Sequence, residues 1–494
     1  MPRGGRPAGP RPLNAAASLG IVAAGIFAVL VFATLAARRT AVDPQEFIVG
    51  GRSFGALFLW ILLAGEIYTS FTFLGAAGWA YGKGAPAFYI LCYGTIAFTL
   101  SYFLLPPVWN IAKERGLLTI GDFFAERYGS KALGLLVACV GFFFLVPYVT
   151  LQLSGLEILL RIAGYSTLNS TTAVGVAFAL MTAFVYLNGL RGTAWASVAK
   201  DVAVVIAVLF AGLVLPARFF GSPAGALDHV LAARPHWLTL ANDLSAQGTL
   251  WFVSTVLLTA LGFYMWPQSF AAIFAARGPE VLRKNAIFLP FYQLMLLLVY
   301  FAGFTALLVV PGLKGPAADQ SFLIVVQRYY PSWVLGCVAL AGCLAALVPA
   351  SGQILGAASL FTKNVLGDGF GIATTDEARL RATRFLIVIV AVFALAWWLA
   401  ARTTLVGLLL IGYSGVTQFF PGVVLALGPR RPAALAVGAG IAGGIAVVAT
   451  AAALGAPTFA GLNVGLAALV VNVGVVFGVN ALRGGSRAAE AARS

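Results

Sequence analysis

The chain has 494 residues, of which 61% are hydrophobic and 10% charged, with a mean hydropathy of +0.95. A water-soluble domain of this length carries about 25% charged residues, so the composition excludes a soluble enzyme. The formal charge of +15 and the sequence pI near 9.9 imply no nucleic-acid partner, because the Lys and Arg residues are scattered between apolar runs, where they act as topology signals.

After a Pro/Arg/Gly-rich leader (1–13), apolar runs of about 20 residues, the length that crosses a ~30 Å hydrocarbon core, follow one another. They predict spans at 14–37, 54–80, 86–108, 132–160, 170–187, 195–217, 249–275, 286–310, 332–362, 384–401, 404–427, 433–454 and 460–482. The expected fold class is an all-α polytopic membrane protein with 13 transmembrane helices: one membrane domain over 14–482 and a cytoplasmic tail at 483–494. Of the 31 basic residues, 21 fall on the side of the first connection and 10 on the other. Positive charge stays inside, so the N-terminus is expected outside and the C-terminus in the cytoplasm of a bacterial-type inner membrane. Residues 110–131 are mixed polar and apolar, as in a helix or re-entrant loop lying at the interface; an ordinary solvated connector is the other reading.

Few ionisable residues fall inside the spans, and there they default to function because burying charge is costly. They are Glu66, Glu157, Asp201 and Lys200. Glu66 stands mid-span in LLAGEIYTSFTFLGAAG, where small and polar residues let the backbone leave helical geometry. Span 7 carries a matching interruption in ALGFYMWPQSF, with Pro267 removing a helical donor. Two interrupted helices five spans apart suggest inverted repeats over about 54–217 and 249–427. Glu157 has Arg161 at i+4, which reads as a satisfied pair. Tyr148 and Gln152 are either substrate contacts or interhelical contacts. The four cysteines lack metal-ligand spacing, and both histidines lie in the longest connection, so no metal or cofactor site and no catalytic cluster is expected.

The stretch Gly55–Gly82, the connector LLTIGDFFAERYGS, and the runs PYVTLQLSGLE, GLRGTAWASVAKD and ALVPASGQILGAASLFTKN together resemble the sodium:solute symporter family. Within it they look most like the monocarboxylate permease subgroup, which carries acetate, pyruvate, lactate and related acids. The resemblance runs from about residue 45 to about residue 430. It implies a leucine-transporter-type inverted five-helix repeat and alternating access around a midplane site. It also implies that backbone carbonyls of Gly65, Tyr68 and Ala345 stand where the family's second sodium site takes its oxygens. The hydroxyl pair of that site falls on Val348 and Pro349, and the acidic residue of span 6 on Ser197, so the sequence departs from the family pattern. Lys200 lies one turn beyond Ser197.

The resulting expectation is a symporter of small monocarboxylates, driven by protons or the membrane potential, with Lys200 standing where sodium would bind. Sodium coupling through Ser351 and Ser197, for a monocarboxylate or another solute such as an amino acid, is the alternative. A non-transporting membrane sensor is the alternative class. The substrate carboxylate is expected at exposed amides near Tyr68, Thr69 and Thr72, with Glu66, Tyr148, Gln152 and Gln268 around it and Phe71 and Trp266 over its aliphatic tail. The partners are then a small acid and the lipid bilayer; oligomeric state is not legible.

Overall fold

The computed structural model describes residues 14–37, 43–167, 169–240, 245–400 and 404–491, with side chains through 482. The leader, Arg38 and Arg39, and the side chains of the tail lie outside the described residues. The molecule is helical apart from a two-stranded hairpin, Thr458–Phe459 with Leu462–Asn463. Its main helices are α1 (Ala15–Ala37), α2 (Pro44–Val49), α3 (Ala56–Ile67), α4 (Phe71–Lys83), α5 (Ala85–Glu114), α6 (Ile120–Tyr128), α7 (Lys131–Ala163) and α8 (Ser170–Phe220). They continue with α9 (Ala246–Gly262), α10 (Pro267–Ala275), α11 (Pro279–Val309), α12 (Ser332–Gly367), α13 (Asp376–Ala400), α14 (Leu405–Leu427), α15 (Ala434–Ala453) and α16 (Val464–Leu482).

Ten of these helices are long and apolar enough to cross a membrane, and twelve crossings result if each of the bent pairs α3/α4 and α9/α10 is one span. The difference from the expected thirteen lies in α8. Expected spans 170–187 and 195–217 are joined there into one 51-residue run, ~76 Å at 1.5 Å per residue and so more than two bilayer cores long. Gly189 leaves helical geometry inside it (φ 56°, ψ −151°), and a Cβ there would stand 2.7 Å from Phe47 of α2. Only glycine tolerates both the dihedrals and the contact.

Each break has a local cause. Pro267 has no N–H and forces Trp266 into extended geometry (φ −69°, ψ 140°), so α9 stops and α10 restarts at a bend of 47°. Between α3 and α4 the hydroxyls compete with the helical ladder: Thr72 Oγ1 donates to the Ile67 carbonyl (2.8 Å) and accepts from Thr69 N (2.8 Å). The chain turns at Tyr68 (φ −92°, ψ 89°), bends by 53° and continues through a π-helical turn at Phe71–Gly75.

The face at which α1 begins is here termed the N-side, and the opposite face the C-side. On the C-side the two broken helices are tied together by backbone: Phe54 N donates to Ala275 O (3.0 Å) and Arg277 N to Phe54 O (2.9 Å). Arg52 adds bonds to the carbonyls of Phe274, Ala112 and Leu117, and Glu46 of α2 pairs with Arg191 of α8 at 2.6 Å. The mixed segment 110–131 becomes the last turn of α5 followed by α6, which starts at a capping box of Thr119 and Asp122 and stops at Gly129 (φ 62°). It is clamped to the C-side end of α12: Asn364 accepts from Thr119 Oγ1 (2.6 Å) and donates to Asp122 Oδ1 (2.8 Å), and Lys363 lies 3.3 Å from the same carboxylate. Two sequence motifs far apart in the chain, TIGD and FTKN, are therefore contact partners.

Candidate functional site

The break at Tyr68 exposes carbonyls, and a lysine fills them. Lys200 Nζ donates to Gly65 O (3.0 Å) and Tyr68 O (3.4 Å) and lies 2.7 Å from Asp201 Oδ1. Its side chain is completely shielded from solvent, so it neither snorkels to the interface nor serves as a surface topology charge. Its ion-pair partner is its own sequence neighbour, Asp201. Tyr292 of α11 donates to the same Asp201 oxygen (3.2 Å) and stacks edge-on with Tyr68. Asp201 Oδ2 is buried without a partner.

Ser197 lies beside this ammonium, with Oγ 3.1 Å from where a Gly65 Cβ would be, and its hydroxyl donates to Thr193 O (3.0 Å). Ser351 donates to Val348 O (2.6 Å) and touches Thr193 Oγ1 at 3.0 Å. Pro349 provides no N–H, so the carbonyl of Ala345 four residues earlier lacks its usual helical donor. Ala345 itself is buried in α12, and the carbonyls that Lys200 reaches among the described hydrogen bonds are Gly65 and Tyr68, not Ala345.

The amides at the break are not open. Tyr68 N bonds to Ala64 O, Thr69 N to Thr72 Oγ1, Ser70 N to Gln152 Oε1 (3.2 Å) and Phe71 N to Thr69 Oγ1. The expectation of exposed amides near Tyr68, Thr69 and Thr72 is therefore corrected: the hydroxyls of Thr69 and Thr72 take two of these amides, the helical ladder a third and Gln152 of α7 the fourth. Gln152 Nε2 and the Ser70 hydroxyl are left buried without a partner, donors at the break still to be used.

On the other side of α3, Glu66 opens onto a cavity of ≈ 20 Å³, room for about one water. Leu63, Tyr148, Phe263, Tyr264, Trp266, Gln268, Ser269 and Tyr413 complete its wall. Gln268 Nε2 donates to Glu66 Oε2 (3.3 Å), and its own Oε1 is unpaired. Trp266 lies 4.7 Å from Tyr148 and 5.1 Å from Tyr413, ring centre to ring centre. Glu66, Tyr148, Trp266 and Gln268 thus come together as expected, whereas Phe71 is buried in the core away from this wall. The cavity admits water and no carboxylic acid, so a solute enters only after the aromatic rings move.

Sequence reasoning missed Tyr292, Thr193 and Tyr413, which bear on the site from α11, α8 and α14. All neutral, two of them aromatic and one a hydroxyl, they carry no signal that sets them apart from packing residues until the fold is known. Glu157 and Arg161 form no ion pair among the described residues; both line a separate N-side cavity. The cysteines are unpaired, with Cys343 buried and Cys92, Cys139 and Cys337 exposed on the apolar surface, and the described residues hold no cluster of metal-ligating side chains.

Two broken helices placed against each other, with unwound backbone and a closed cavity between them, define a transporter architecture in an integral membrane protein. The profile of the sodium:solute symporter family matches residues 47–429, and the chain belongs to that family. It is 41% identical to the uncharacterized symporter YhjB of Bacillus subtilis, over 90% of this chain and 93% of that protein. It is 30% identical to a monocarboxylate transport permease protein of Rhizobium johnstonii, over 90% and 91% of the two chains. The solved structure of a Na+-coupled sialic acid symporter in a substrate-bound, outward-open state matches with a TM-score of 0.73 at 15% identity, covering 93% of this chain and 96% of that one, a likeness of fold. The protein is a symporter-family transporter and not an enzyme.

Proposed function

We propose that this transporter is a secondary active symporter of small monocarboxylates across a bacterial-type inner membrane, with its N-side outside, and that protons or the membrane potential drive it in place of sodium. The observation that carries the coupling reading is the Lys200 ammonium, seated on the carbonyls of Gly65 and Tyr68 and against Asp201. A fixed cation there supplies the charge that a free sodium would bring, and a lysine that passes its proton on during the cycle would loosen the break in step with transport. Glu66, Gln268, Gln152 and Tyr148 offer the polar contacts for a solute, and Trp266 the apolar cover. The similarity to a monocarboxylate permease supports the substrate class. The two halves of α8 act as separate crossings, which restores thirteen spans and the repeats 54–217 and 249–427.

Sodium coupling is the second reading, favoured by the family's name and by the Na+-coupled symporter that shares the fold. Its oxygens would come from Ser197, Ser351 and the carbonyl of Ala345. Uptake of labelled acetate, pyruvate, lactate and amino acids into proteoliposomes, with sodium exchanged for choline at fixed pH, separates the two. Uptake that persists in choline and follows an imposed proton gradient or potential is expected; collapse without sodium transfers the case to the second reading.

A further inference from the structure

On the N-side, the connection between α11 and α12 folds into a short turn, Gly315–Gln320, that carries Asp319. Its side chain faces two helices and a cavity at once. Oδ2 accepts from Leu405 N (3.3 Å), the first residue of α14, where a helix N-terminus favours a carboxylate. Oδ1 lies against Gly78 of α4, so close that a Cβ there would stand 2.3 Å from it. The third neighbour is a cavity of ≈ 300 Å³ lined also by Glu157 and Arg161 of α7 and by Trp398 of α13. Despite that cavity, Asp319 is only 3% exposed.

The surrounding bonds show which parts move together. Tyr81 of α4 donates to Val310 O (2.7 Å) and accepts from Leu313 N (2.8 Å). The outer half of the first broken helix is thus fastened to the connection that carries Asp319. α14 carries Tyr413, one of the rings that close the central cavity. Asp319 sits at the joint between these two units, and any N-side opening that separates α4 from α14 brings it into water.

We propose that Asp319 is a positioning residue of the N-side gate: its neutral carboxyl seats between α4 and α14 when the gate is shut, and its ionisation favours the open joint, where water reaches it. This rests on the transport reading but not on the choice of substrate or coupling ion. Among the described residues no basic side chain lies within ion-pair distance of it. The charged groups on the elements around it are Glu157 and Arg161 across the cavity, Lys83 at the end of α4, Lys314 before its own turn, and Arg328 at the far end of the following helix, Ser321–Tyr329. Arg402, just ahead of α14 in sequence, lies outside the described residues.

Burial raises the Asp319 carboxyl to about 7, with the Leu405 N–H pulling weakly the other way. A hydrated aspartate titrates near ~3.9. Between those two values the shut state holds more protons than the open one, so acid closes the gate and rising pH opens it. Over that window the open-to-shut ratio changes by up to about 10³-fold.

The test is the labelling rate of Ser154→Cys, on the cavity wall, in full-length protein whose four native cysteines are replaced. A membrane-impermeant maleimide is applied from the N-side at pH 5.5 and 8.5, with rates normalised to exposed Ala232→Cys to remove the thiol's own titration. Faster normalised labelling at pH 8.5 is expected, with Asp319→Asn slow and pH-independent and Arg402→Gln like the parent. Detergent melts should show Asp319→Asn folded and more stable than the parent at pH 8.5. A parent rate that does not change with pH, a pH response that survives in Asp319→Asn, or an Arg402→Gln variant that behaves like Asp319→Asn overturns the proposal. The assay contains no solute and no sodium, and Asp319→Asn separates this carboxyl from every other titrating group, so its outcome does not depend on the substrate or on the ion that drives transport.

Discussion

Lys200 shows what a single buried charge demands. Its three nearest acceptors are two carbonyls freed by the α3/α4 break and the carboxylate of its own sequence neighbour, and removing the ammonium leaves all three facing one another. Breaking a buried pair from one side costs ~3–5 kcal/mol, so Lys200→Met should lower the detergent melting temperature markedly. Lys200→Met combined with Asp201→Asn should recover much of that loss, because the orphaned charge is gone. If the double variant is no more stable than the single one, Asp201 is not the partner that matters. Glu66 presents the opposite case, a carboxylate that opens onto the cavity and takes a hydrogen bond from Gln268. Glu66→Gln keeps shape and hydrogen-bonding capacity while abolishing titration. We expect proton-driven accumulation to fall by about tenfold or more, ~1.4 kcal/mol of coupling, while solute exchange at equal concentrations continues. Wild-type accumulation in this variant would remove Glu66 from the coupling step.

Among the elements, the sequence announced the interruptions better than their consequences. Pro267 in ALGFYMWPQSF and the hydroxyl run after Glu66 break helices for reasons written in their own side chains, and both breaks appear where those residues stand. That the hydroxyls would also consume the amides they liberate could not be read from the same letters, because Thr69 and Thr72 serve equally as ligand contacts or as caps until their rotamers are known. Lys200 was legible through its register with Ser197, whereas Tyr292, which holds Asp201 from α11, was not, since tyrosines in apolar helices ordinarily signal packing. Gly189 escaped notice because the residues near it look like a charged connector, and only the fold shows Phe47 packed on it. Gly189→Ala would force a side chain into dihedrals reserved for glycine and against that ring. The strain of ~1–3 kcal/mol and overpacking of similar size predict a melting temperature well below wild type, and relief by Phe47→Ala of the ring's share alone, since the Phe47 carbonyl oxygen stands equally close to that Cβ position and stays. The α6–α12 clamp makes a milder prediction: Asn364→Ala removes three hydrogen bonds, to Thr119, Asp122 and Asp368, a loss of ~1–3 kcal/mol that a thermal melt would detect.

At the scale of the whole molecule, the structure is shut on its C-side and has a central cavity too small for any acid. The C-side closure is concentrated where the two broken helices meet, in the backbone bridge between Phe54 and Ala276 and the bonds from Arg52. If solute leaves toward the C-side by separation of α3 from α10, a covalent link across that bridge must stop it. Paired residues of a parallel bridge bring their Cα atoms within the ~4.4–6.8 Å that a disulfide spans. Phe54→Cys with Ala276→Cys, in a background without the native cysteines, should therefore cross-link on oxidation. Uptake should be lost when the link forms and return on reduction, while binding of solute from the N-side, measured by protection against thermal unfolding, should persist in the oxidised state. The reversibility matters because Phe54 is a buried core residue whose replacement alone weakens the fold, and a merely damaged protein would not recover with reductant. Full uptake by the cross-linked protein would mean that α3 and α10 stay joined throughout the cycle and that the C-side exit lies between other helices.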